Sequence, residues 1–129
     1  MTCDVRNIEP RTLTTRESSW VREILQTAPD WKDADISRTQ VIAEGPCDEG
    51  ISIRLRAPQP ENSTPDPTAG YIGRIVICTD DGSLIEVRLT QSGGRLDELF
   101  VLFVDPKHPR HTLPANWTEL SHEVLGMAH

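Results

Sequence analysis

RIVICTDDGSLIEVRLTQSGGRLDELFVLFV, residues Arg74 to Val104, decides the fold. It divides into three consecutive strands with two glycine-marked turns. Ile85, Val87 and Leu89 alternate with Glu86 and Arg88, the period of a strand with one apolar face and one wet face. Asp81-Gly82 suits the positive φ angles of a type I′ hairpin turn, and Ser92-Gly93-Gly94 marks a second reversal. The last strand ends in LFVLFV, Leu99 to Val104, which is apolar on both faces. A final strand of a meander would be an edge, and a long apolar edge invites aggregation. The reading therefore expects either other parts of the chain to pair with this strand or an interface through 99–104, including one between two copies.

Outward from this meander, Gly70 to Thr79 supplies the strand that leads into it. Ile51 to Ala57 (ISIRLRA) alternates cleanly, with Ser52, Arg54 and Arg56 on the polar side. Gln40 to Glu44 reads as a short strand, joined to it by the breaker-rich turn Gly45–Gly50. Pro58 to Ala69 holds four prolines and reads as an exposed loop, long for a connection between strands. Residues 1–10 read as an irregular lead-in. Thr14 followed by Glu17 is a capping box, with Leu13 placed as a hydrophobic staple. Trp20, Val21, Ile24, Leu25 and Ala28 then form one helical stripe, which Pro29 ends. Trp31 and Ile36 anchor the connector that follows. Asn116-x-x-Glu119 is a second capping signal, so a short helix from Trp117 to about Val124 is expected.

The expected fold is α+β: one domain over 1–129 with its core in about 11–120. An N-terminal helix packs on a single antiparallel sheet of about five strands, with a short C-terminal helix. At 129 residues the chain is long enough to bury a core without staples. Cys3, Cys47 and Cys78 are odd in number and widely spaced, so three reduced thiols are expected, with Cys78 buried in its strand. Residues 1–11 contain no apolar h-region and no run approaches a membrane span. The expectation is a cytoplasmic protein.

The charge is −7, which disfavours nucleic acid and anionic membrane and speeds association with a basic protein. Solubility explains the same charge. No nucleophile elbow, phosphate loop or H-E-x-x-H occurs. His108 and His111 have H-x-x-H spacing, but Pro109 between them breaks the helix that would aim both at one metal. Neither a metal site nor a cofactor is expected, and no catalytic set is recognised. Asp80-Asp81 before Gly82 fits turn chemistry better than a carboxylate pair. Alternate turns of a meander share one end of the sheet. That would gather Glu44, Asp48, Glu49, Asp80 and Asp81 into an acidic end, either two ordinary polar turns or a docking surface, with the basic loop Lys107–His111 leaving from the same end.

Arg11, Leu13, Thr14 and Glu17 (R-x-L-T-x-x-E), Asp80–Gly82 (D-D-G), and Gly94, Leu96, Glu98 and Leu99 (G-x-L-x-E-L) together resemble a family of small, uncharacterised, acidic bacterial proteins over about residues 11–120. The resemblance implies an immunity protein, encoded beside a toxin, that occludes the active site of its cognate toxin domain. It implies no enzymatic activity and no cofactor. The alternatives are a non-enzymatic ligand-binding or homodimeric accessory module, and a small enzyme using His108, His111 or Cys78.

Overall fold

A computed structural model describes residues 3–29, 31, 36–58, 69–80, 82–105 and 119–126. One helix lies on one antiparallel sheet of seven strands. The strands are β1 (Arg6–Thr12), β2 (Gln40–Cys47), β3 (Gly50–Arg56), β4 (Ala69–Thr79), β5 (Leu84–Ser92), β6 (Arg95–Asp105) and β7 (Glu119–Gly126); helix α1 is Thr15–Leu25. The α+β expectation holds, but the sheet is wider than about five strands, and the expected C-terminal helix is instead β7.

The spatial order is β1-β2-β3-β6-β5-β4-β7. The meander β4-β5-β6 forms as read. Strand β3 then bypasses β4 to lie beside β6, with Ile53 opposite Leu99, a Greek-key arrangement. This placement resolves the apolar LFVLFV run. Strand β6 is interior and has both edges paired, Val101 standing between Ile51 and Val87. Of the two alternatives the sequence offers for this strand, pairing with other parts of the chain is the one that forms: β3 lies along 98–102 and β5 along the opposite edge. The outer edges belong to β1 and β7. Pro10 and the exposed Arg6 and Glu9 make β1 a poor template for further pairing.

Helix α1 begins as its sequence dictates. Thr14 Oγ1 accepts the Glu17 backbone N–H at 3.1 Å, and Glu17 accepts the Thr14 N–H at 2.8 Å. Glu17 is also held by both terminal nitrogens of Arg11, at 2.8 and 3.0 Å, and Arg11 reaches Glu44 at 3.0 Å. Arg11 thus ties β1 to α1 and to β2. Burial pushes the Glu17 carboxyl up, but its hydrogen bonds from Arg11 and the Thr14 backbone outweigh that and hold it below the usual range. The Arg11 guanidinium is raised above its ordinary value, chiefly by its bond to Glu17.

The helix stripe Trp20, Val21, Ile24 and Leu25 is buried over the sheet face that carries Ile75, Ile77, Ile85, Val87, Leu89, Leu99 and Val101. Trp31 and Leu13 pack against this core, and Ile36 joins it. At Gly73 of β4 a Cβ would stand 2.9 Å from Ile24 Cγ2, so this glycine lets the helix approach. The β5–β6 reversal uses two successive residues of positive φ, Gly93 at 63° and Gly94 at 77°, which is the type I′ requirement.

The cysteines depart from expectation. Cys3 and Cys47 are joined in a disulfide across 44 positions of sequence. The reason lies in topology: the segment before β1 continues its antiparallel course along β2 and sets Cys3 opposite Cys47, which three widely spaced cysteines could not reveal. Cys78 is free, and only partly buried. No helix among the described residues is long and apolar enough to cross a membrane.

Candidate functional site

The helix covers one face of the sheet. The opposite face carries the other half of each alternation, and register decides which of those side chains meet. Ser52 stands opposite Phe100, and Phe100 opposite Arg88. Arg54 stands opposite Glu98, and Glu98 opposite Thr90. Residues that sequence places on separate strands therefore form two charged groups on one surface.

In the first group, Glu98 accepts the Ser52 hydroxyl and lies 3.5 Å from Arg54 Nε. In the second, Glu86 accepts Arg74 Nη1 and Arg88 Nη2, each at 3.1 Å. Glu86 is only 7% exposed although it lies on the face opposite the helix. Burial pushes its carboxyl up, but the hydrogen bonds from Arg88 and Arg74 outweigh that, and it is held below the usual range. Arg88 is raised, mainly by Glu86. It also donates to the Tyr71 hydroxyl at 3.3 Å and lies 5.6 Å from the Tyr71 ring centre, a cation–π distance.

Between the two groups lies a cleft of about 240 Å³. Its floor is Thr90, Phe100 and Leu102. Arg54 and Glu98 form one wall, Tyr71 and Arg88 the other, and Cys3 and Glu49 border it. Arg54 Nε faces Glu98, while neither of its Nη atoms donates to any described residue. The cleft can accept an apolar group on its floor and hydrogen-bond it from a charged wall.

The five acidic residues singled out in the sequence are only partly brought together. Asp48 and Glu49 are exposed in the β2–β3 turn, and Asp80 is exposed after β4. The register Gly50–Leu102–Glu86–Val76 puts these turns at the same end of the sheet, as the parity argument expects, even though the strand order differs. They are separated by β6, so the two hairpins are roughly 14 Å apart at ordinary strand spacing. They form an acidic rim, not a cluster. Glu44 does not belong to it. Its register partner is Ile53, on the helix side, and its carboxylate is engaged by Arg11. The correction follows from β2 continuing to Cys47, which places Glu44 well inside the strand instead of at the turn. Asp81, His108 and His111 lie outside the described residues.

Among the described residues no group of three or more His, Cys, Asp or Glu side chains could hold a metal ion. His122 of β7 stands opposite Ile77, on the helix side, where it bonds Glu23 of α1 at 2.7 Å and Glu119 at 2.9 Å. Cys78, one residue along β4, faces the other side of the sheet, so the two do not form a thiol–imidazole pair.

Sequence reading missed the cleft. The signal was present in part, since alternation put Ser52, Arg54, Glu86 and Arg88 on a water-facing side. What it lacked was the β3–β6 pairing, without which Arg54 and Glu98 are unconnected. Comparison of the chain with protein-family models, curated proteins and solved structures returned no match.

Proposed function

We propose that the protein is a non-catalytic binding protein of the immunity type, which docks on a cognate toxin domain with a basic active-site cleft and occludes it. The observation that carries this reading is the acidic rim: Asp48, Glu49 and Asp80 reach solvent at one end of the sheet in a chain of net charge −7. Such a rim steers association with a basic surface and stands in for an anionic substrate. Neither nucleic acid nor membrane is the partner in this reading, since the charge repels both.

The reading places the protein in the cytoplasm with its toxin. A reducing cytoplasm would open the Cys3–Cys47 bond, so the sheet must then hold its shape without it. The test is co-expression with the C-terminal toxin domain encoded by the neighbouring gene. Rescue of growth and co-purification are expected; continued toxicity with no complex would sink the idea.

A second reading, a non-enzymatic ligand-binding module, is favoured by a different observation, the Arg54–Arg88 cleft on the sheet face opposite the helix. It predicts saturable binding of a small molecule there without turnover. It fails if titration with small organic acids and their neutral counterparts leaves the cleft residues unperturbed.

A further inference from the structure

We infer that the cleft on the sheet face opposite the helix is a site for a small monocarboxylate with an apolar body, aromatic or branched aliphatic; this rests on the ligand-binding reading above. The floor supplies the apolar half of the recognition. Phe100 and Leu102 are both partly exposed in it, which is unusual for large apolar side chains set among charged neighbours and favours an apolar occupant.

Arg54 supplies the other half. Glu98 takes the Nε edge of its guanidinium and so fixes the group against β6. The Nη donors have no described partner and lie on a side chain that is 48% exposed. A guanidinium fork matches a carboxylate in two parallel hydrogen bonds. Across the cleft, Arg88 is already committed to Glu86 and Tyr71. It acts as a fixed positive wall and not as the primary donor.

The charge balance selects the class of anion. Arg54 with Glu98 is neutral as a pair, and Arg74, Arg88 and Glu86 together carry one positive charge. Glu49 borders the cleft with one negative charge. A dianion such as phosphate would meet two carboxylates with little net positive charge to compensate. A monoanion that also covers Phe100 and Leu102 needs only the one guanidinium fork that Arg54 offers and brings less charge against Glu49 and Glu98. The cleft is smaller than the roughly 300–1,000 Å³ usual for drug-sized ligands, which limits the occupant to about one ring or a short branched chain.

The test is titration of the full chain, followed by amide nitrogen–proton correlation spectra, with phenylacetate, phenylacetamide and inorganic phosphate. Phenylacetate is expected to shift saturably the amides of 52–54, 88–90 and 98–102. Phenylacetamide, which differs only in charge, should bind roughly tenfold more weakly or worse, the usual worth of a charged hydrogen bond. Phosphate should give no saturable shift there. Arg54→Gln should lower phenylacetate to the level of the amide, and Arg54→Lys, which keeps the charge but loses the fork, should fall between. The unliganded spectrum of each variant reports whether it folds, and the acid–amide comparison needs no variant. Equal binding of acid and amide at the cleft, competition by phosphate, or full affinity in Arg54→Gln would overturn carboxylate recognition while leaving a ligand-binding module. No perturbation of the cleft by either phenyl compound would overturn both.

Discussion

The two faces of the sheet are built from the same strands and by the same alternation, yet they are held by different forces. On the helix side, Ile75, Ile77, Ile85, Val87 and Leu89 are fully buried beneath Val21 and Ile24. Their contribution is apolar area removed from water, which has no directional requirement. On the other side, neighbours one residue along the same strands form charge pairs: Glu86 with Arg74 and Arg88, Glu98 with Arg54. In those pairs the carboxylates are largely buried but the arginines stay partly in water, and ion pairs with a solvated partner add less than the apolar core does. The contrast separates roles: the face under the helix holds the fold, while the opposite face and the exposed acidic rim contribute little to it and present charge.

That separation can be broken experimentally. The largest effect is expected from Ile77→Ala on the face under the helix, a loss of about 4 kcal/mol by transfer and cavity terms for a fully buried side chain, read as a lower urea midpoint. Val76→Ala, its neighbour on the other face, should cost less than about 1 kcal/mol; equal losses would mean that the two faces are not different in kind. Next comes the disulfide. Cys3→Ser removes a bond that closes a loop of 44 positions, for which chain entropy gives roughly 4 kcal/mol as an upper figure. An unchanged midpoint under oxidising conditions would show that the bond does not constrain the unfolded chain.

Smaller still is Glu86→Gln, which leaves two arginines without their carboxylate and should cost about 1–2 kcal/mol near neutral pH. Because the folded carboxyl is held below the usual range, its contribution is present above the unfolded value of about 4.3. It is lost as pH falls through the folded pKa. The wild type and Glu86→Gln should therefore converge in acid urea melts; a gap that persists at the acid limit would assign the loss to packing.

The smallest effect concerns His122. Burial lowers its pKa, but its bonds to Glu119 and Glu23 outweigh that and raise it. Its contribution is present below the ordinary value and is lost as pH rises through the folded pKa. Amides of β7 should be better protected near pH 6 than near pH 8, by less than about 1 kcal/mol once intrinsic exchange is corrected for. His122→Ala should remove the difference; a difference that survives in it would point to another group.

Much of the fold was legible because local signals agreed with tertiary ones. The Thr14/Glu17 capping box, the apolar stripe of α1 and the five strands from β2 to β6 follow from periodicity and turn residues. Strand β1 was hidden because Pro10 and its charged neighbours give an edge strand no apolar period. Strand β7 reads as a helix because Asn116 and Glu119 have the spacing of a capping signal and Trp117 and Leu120, three residues apart, suit one helix face. Pairing with β4 overrides that local preference. The β3–β6 pairing and the disulfide depend on contacts between distant segments, which periodicity does not encode. For the site, parity located the acidic end, but only strand length could show that Glu44 lies inside β2.

The most direct test of the binding account is calorimetric titration of the basic toxin domain with wild-type protein and with Asp48→Lys/Glu49→Lys/Asp80→Lys, at low and moderate salt. The account predicts tight wild-type binding that weakens with salt, and a loss of at least tenfold in the triple variant whose spectrum shows an intact fold. Undiminished affinity in that variant, with no salt dependence, would contradict it.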